Sequence, residues 1–211
     1  MAEAIFCDAP LLTAPGLVMT PRPASEQLVT AAAERIAGRR ARVADVGTGS
    51  GAVAVNLARL VPGAEVWASD ISAAAVFLAR ANARLHGVRD RVHVLKGDLL
   101  DPLPGEFDLI VANLPYLPQA DRLRYPALAG EPDDALFAPG DGLGLYRRLL
   151  RSAEERLDPA GAVVIQLHRR VLVAERADLP VLRAALAELT SDRTGSPRGH
   201  RCESFPLAAV A

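Results

Sequence analysis

Lysine is nearly absent from this sequence. Lys96 stands alone among 24 basic residues, the rest being arginine, and together with the abundant alanine this reads as coding bias without functional meaning. Cysteine is scarce too. Cys7 and Cys202 sit at opposite ends, so a disulfide framework or a zinc site has no support, and free thiols in a reducing compartment are expected. The four histidines, His86, His93, His168 and His200, show no spacing suited to a metal. A surplus of one charge is missing as well: the formal net charge of −1 offers no broad attraction for nucleic-acid backbones. No uncharged apolar run is long enough to span a bilayer. The first ten residues carry Glu3 and Asp8 and no basic stretch leading into an apolar one, unlike a signal peptide. A cytoplasmic protein with no membrane partner is the expectation, its oligomeric state left open.

What is present is apolar and periodic. With 211 residues and 50% hydrophobic content the chain suits one domain over its whole length. Pro15, Gly16, Pro21 and Pro23 interrupt the backbone too often for a helix, so residues 1–24 form an extended lead-in. Ser25 reads as the N-cap of a helix over Glu26–Ala37. Short β-rich runs follow at Arg42–Val46, Glu65–Ser69, Arg91–Leu95, Phe107–Ala112 and Ala162–Leu167, separated by helical stretches such as Ala52–Leu60 and Ala73–His86. This alternation predicts an α/β fold, with parallel strands joined by crossover helices on both faces of the sheet. Residues 117–142, rich in Pro, Asp and Gly, form a long connection of the kind that often carries function, and a helix is expected over Leu143–Leu157. Val171–Ala174 fits either strand or helix, Ala184–Leu189 is helical, Ser191–His200 has loop composition, and Cys202–Ala209 fits a last strand.

A glycine loop, Asp45-Val46-Gly47-Thr48-Gly49-Ser50-Gly51, follows the first of the β-rich runs and opens a helix. Its glycines permit a tight turn and bring ligand and backbone close. Gly47, Gly49 and Ala52 also satisfy the loose dinucleotide fingerprint. A pyrophosphate would use the helix N-terminus, whereas the sulfonium and ammonium of S-adenosylmethionine gain from a carboxylate such as Asp45. Asp70, ending the next strand, suits ribose hydroxyls under either reading. Asp98 could accept from an adenine amino group, or it is a turn aspartate. Thr48, Ile71 and Leu99 complete the candidate cofactor set with Gly47, Gly49, Gly51 and Asn113.

Asn113-Leu114-Pro115-Tyr116 ends the fourth strand, where open α/β sheets face their ligand crevice. The amide of Asn113 and the carbonyl of Leu114 can hold both hydrogens of a target nitrogen, Pro115 keeps Leu114 extended, and Tyr116 offers a flat face. Withdrawing density from both N–H bonds, with in-line positioning, needs neither a metal nor a strong base.

With these residues in view, the chain resembles the catalytic domain of the bacterial protein-glutamine methyltransferases that modify peptide-chain release factors. Three further stretches match: Pro15 to Glu26, Glu131-Pro132 with Ala135-Leu136, and Gly140-Asp141-Gly142-Leu143. The resemblance, from about Phe6 to Leu167, implies a Rossmann-like methyltransferase fold with an antiparallel final strand, and S-adenosylmethionine as cofactor. It implies a release-factor glutamine as acceptor, Arg22, Pro23 and Glu131 on the substrate side, and residues 117–142 as a substrate-side connection. Where the family usually has Pro, this chain has Leu114; the retained Pro115 keeps the geometry. The family's separate N-terminal helical domain, associated with recognising the release factor, has no match in this sequence, so docking is expected to be weaker or to need a separate partner. Three alternatives stay open: an adenine N-methyltransferase acting on RNA or DNA, which the form Asn-Leu-Pro-Tyr also resembles, a small-molecule N-methyltransferase, and a non-catalytic S-adenosylmethionine-binding subunit. Arg147, Arg148 and Arg151 read as a solvated helix face, and Arg193, Arg198 and Arg201 as a modest basic tail.

Overall fold

The computed structural model describes residues 1–167 and 170–191. The chain begins with a hairpin of β1 (Ala2–Phe6) and β2 (Ala9–Thr13), followed by α1 (Ala24–Ile36), β3 (Ala41–Val46), α2 (Ala52–Leu60), β4 (Ala64–Asp70), α3 (Ala73–Leu85), β5 (Val92–Lys96) and β6 (Phe107–Ala112). Two-residue strands β7 (Leu117–Pro118) and β8 (Phe137–Ala138) flank three short 3-10 turns, and α4 (Gly144–Arg156), β9 (Leu157–Leu167), β10 (Arg170–Glu175) and α5 (Leu179–Ser191) complete the order. One six-stranded sheet, ordered β10-β9-β6-β3-β4-β5, organises the rest. All its pairings are parallel except β10 with β9.

Side-chain alternation along the strands explains the layers. Val43, Leu109 and Val111 point into a core with α1, α2 and α3, while Ala44, Val46, Ile110 and Ala112 point into a second core with α4 and α5. A central parallel strand covered on both faces reads as a near-continuous apolar run, as β3 and β6 do. The sheet order turns back between β3 and β6, so the crevice expected in a doubly wound sheet opens at their carboxyl ends.

The α/β architecture and antiparallel last described strand agree with the sequence reading, with three corrections. Helix α1 starts at Ala24 with Pro23 as its N-cap residue, which puts Ser25 inside the first turn, where it makes no capping bond. Strand β9 begins at Leu157, not Ala162, because the pairing with β6 shifts between Phe107 and Leu109 and passes over the turn-like Asp158-Pro159-Ala160-Gly161. The lead-in is not extended throughout: residues 2–13 form the hairpin, closed by Cys7 (φ 48°) and Asp8 (φ 56°), both in the left-handed region that primed two-residue turns require. Val171–Ala174 belongs to β10. The proposed strand Cys202–Ala209, the arginines of the tail, His168, His200 and residues 192–200 of the expected loop lie outside the described residues. Among the described residues no helix is long and apolar enough to cross a membrane.

Candidate functional site

The carboxyl ends of β3, β4 and β6 converge on a cavity of about 400 Å³, within the range of small-molecule sites. The glycine loop forms its floor. Gly47 and Thr48 donate their backbone N–H groups to the Ser69 carbonyl at 2.9 and 3.0 Å, and Gly49 donates to Asp70 Oδ2 at 2.9 Å, so β4 holds the loop in place. Gly47 has φ +71°, and a Cβ there would lie 2.7 Å from Leu114 Cδ2, so glycine lets the loop and the Asn113 segment touch. Gly51 does not line the cavity; with φ +80° it starts α2 and lets Ala79 approach within 3.0 Å of where a Cβ would be.

Asp45 is the buried charge of the site, 2% exposed. Its Oδ2 accepts from Thr48 Oγ1 at 2.6 Å and from the Ala54 N–H at 3.1 Å, and neither bond uses Oδ1. Burial pushes its carboxyl up to about 6, opposed by those two bonds and assisted by the neighbouring Asp70. Asp70 itself is raised by burial, against hydrogen bonds from the Ser72 and Gly49 N–H groups. Leu99 also lines the cavity in a left-handed conformation (φ 46°), uncommon for a leucine, with Ser69 Oγ bonded to its carbonyl at 2.6 Å.

Asn113, Leu114 and Pro115 form the opposite wall. Asn113 Nδ2 donates to Ser25 Oγ at 3.1 Å. The Leu114 N–H donates to the Tyr146 hydroxyl at 3.0 Å. That hydroxyl has one hydrogen to give, and the Gln166 carbonyl lies at 2.5 Å against 3.3 Å for the Leu114 carbonyl. The hydrogen therefore goes to Gln166, and the Leu114 carbonyl keeps its capacity to accept.

Two segments roof the cavity: residues 17–22 and residues 132–139. Glu131 ties them, its Oε2 accepting the Thr20 N–H at 2.9 Å and its Oε1 facing Arg22 Nη2 at 3.4 Å.

A family model described as the methyltransferase small domain matches residues 21–125. The release factor glutamine methyltransferase of Deinococcus radiodurans is 42% identical over 195 residues, covering 89% of this chain and 67% of that protein. The chain belongs to the release factor glutamine methyltransferase family. The member from Gloeobacter violaceus is 42% identical over 156 residues, 71% of this chain and 54% of that protein. The chain spans about half to two thirds of the length of the relatives it matches. Among solved structures, the ribosomal protein L11 methylase of Lactobacillus delbrueckii subsp. bulgaricus is 30% identical with a TM-score of 0.54, over 82% of this chain and 72% of that one. A 16S rRNA N2 G1207 methyltransferase of T. thermophilus, in complex with AdoMet and guanosine, shares the fold at 24% identity and a TM-score of 0.56, over 78% of this chain and 40% of that one.

Within this family member, Asp45, Gly47, Thr48, Gly49, Asp70, Ile71, Asp98, Leu99, Asn113, Leu114, Pro115 and Arg22 all line this cavity. Tyr116, Pro23 and Glu131 do not. Tyr116 packs against the core beside α4, Pro23 heads α1, and Glu131 acts through the roof. Asp98 carries an ion pair with Arg148 at 2.6 Å, so Arg148 is a cavity-lining residue and not merely part of a solvated face. Arg147 likewise holds Asp141 through two bonds, of 3.0 and 2.6 Å. Of the described histidines, His86 bonds the Pro10 carbonyl and His93 faces Glu65. Among the described residues no group of three His, Cys, Asp or Glu could hold a metal.

Proposed function

We propose that this chain methylates the side-chain amide nitrogen of a glutamine in a peptide-chain release factor, with S-adenosylmethionine as donor. One observation carries the reading: an Asn-Leu-Pro wall touches a glycine loop across a cavity that also holds two carboxylates, Asp45 and Asp70. The carboxylates suit a ligand bearing positive charge better than a pyrophosphate. When bound, S-adenosylmethionine supplies a methyl group on a sulfonium.

The chain's own residues do the rest. Asp45 Oδ1 would accept from the ligand's ammonium, Asp70 would accept from ribose hydroxyls, and the bare glycine loop would let the ligand lie close to the backbone. Asn113 Oδ1 and the Leu114 carbonyl would accept hydrogen bonds from the two N–H groups of the target amide, drawing density toward nitrogen and holding it in line; the nitrogen gains the methyl as the sulfonium becomes a neutral thioether, and one N–H proton passes to solvent. Pro115 keeps Leu114 extended for this. Arg22 and the roof border the route by which a peptide loop would enter, and narrow flanking residues such as glycine would let it do so. Release-factor modification fits a cytoplasmic setting. The names of the relatives from Deinococcus radiodurans and Gloeobacter violaceus support the acceptor class.

Purified protein incubated with labelled S-adenosylmethionine and a release factor should yield label on one glutamine in an exposed Gly-Gly-Gln loop, read by peptide mass spectrometry, and none when that glutamine is replaced. Label found only in RNA or DNA from a cell extract would move the assignment to adenine methylation.

A further inference from the structure

A serine that caps a helix spends its hydroxyl on the helix's own N–H groups. Ser25, a residue 6% exposed, lies inside the first turn: α1 has no side-chain capping bond, and the Ser25 hydroxyl accepts from Asn113 Nδ2. The two residues are 88 positions apart, Ser25 in α1 and Asn113 just beyond the end of β6. We infer that Ser25 is a positioning residue, holding the Asn113 amide in its place on the cavity wall where an incoming substrate meets it.

This role follows if Asn113 accepts the substrate's hydrogens as proposed above, because a primary amide is nearly symmetric in shape but not in chemistry. Turned one way, Asn113 offers an oxygen to the substrate; turned the other, it offers an NH2 group that opposes the N–H hydrogens it should hold. With Nδ2 at 3.1 Å from the Ser25 hydroxyl, the oxygen is the end available to the substrate; because a hydroxyl can donate as well as accept, Ser25 holds the amide in place and does not by itself choose its end. Leu114 is restrained independently by Tyr146, so loss of the Ser25 hydroxyl releases Asn113 without displacing its neighbour.

The test compares Ser25→Ala and Ser25→Thr with the unmodified protein. In Ser25→Ala, kcat for release-factor methylation should fall about tenfold, the size of one lost hydrogen bond, while KM and the S-adenosylmethionine Kd change less than about twofold; threonine should restore the rate. In parallel, hydrogen exchange at the Asn113 carboxamide, followed by NMR on labelled protein, should be slow in the unmodified and threonine forms and fast in the alanine form. Unchanged kcat with unchanged exchange in Ser25→Ala overturns the inference, as does equal loss in both variants. If no form methylates a release factor, the acceptor reading fails by itself, and the exchange measurement still decides the role of Ser25.

Discussion

Asp45 keeps a carboxyl in a place where charge is expensive. A pKa of about 6 in place of 3.8 corresponds to roughly 3 kcal/mol of penalty for the ionised form. The sign follows from linkage: the raised group costs the fold nothing below pH ~4, and stability is lost as pH rises through 6. Asp45→Asn should therefore gain stability over the unmodified protein at pH 8 and little or none at pH 4, by urea unfolding at both values. An equal difference at both values would show that Asp45 is not the buried charge described. The same ionisation works in reverse for a cationic ligand. S-adenosylmethionine affinity, measured by calorimetry, should weaken as pH drops below 6, by up to about tenfold per pH unit, and Asp45→Asn should flatten that profile. The substitution thus separates stability from binding in one side chain.

Helix α4 is the element that serves the site from behind. Tyr146 is fully buried, its phenol pushed well above the usual range by burial, and it bridges the Leu114 N–H to the Gln166 carbonyl. Tyr146→Phe keeps the ring and strands both buried partners, so unfolding free energy should drop by about 2 kcal/mol, with a fall in methyl transfer as Leu114 loosens. A variant as stable as the parent would mean those bonds are replaced by others. This is also where sequence reading reaches its limit. Local signals located α2 at its observed bounds, Ala52–Leu60, and β6 at Phe107–Ala112, because apolar periodicity and a glycine boundary are properties of neighbouring residues. Most of the site positions named from sequence line the cavity as well, since carboxyl ends of parallel strands are predictable once the strands are. Ser25, Tyr146 and Arg148 were missed as site residues. Their partners lie 88, 32 and 50 positions away, and nothing local distinguishes a serine that holds an amide in place from one that caps a helix. The bulged start of β9 failed for the opposite reason: its Asp-Pro-Ala-Gly composition is locally that of a turn, overridden by pairing with β6.

At the scale of the molecule, two stretches distant in sequence meet over the cavity, joined by Glu131. If a ligand exchanges past that contact, loosening it should speed release. Glu131→Ala should raise the dissociation rate of S-adenosylmethionine severalfold in stopped-flow measurements while leaving the unfolding midpoint close to that of the parent; an unaltered rate would show that the roof does not gate exchange. Deeper in the fold, Asn82 is fully buried, accepts the Leu12 N–H at 2.8 Å, and donates to the carbonyls of Leu12 and Ser50 at 3.0 and 2.8 Å. One amide thus fastens the N-terminal hairpin, α3 and the glycine loop to each other. A protease that clipped away the first thirteen residues would remove no cavity-lining side chain, yet it would orphan two of Asn82's bonds in the interior. The damage would surface on the far side of that amide, at Ser50, as a slackened floor under the ligand.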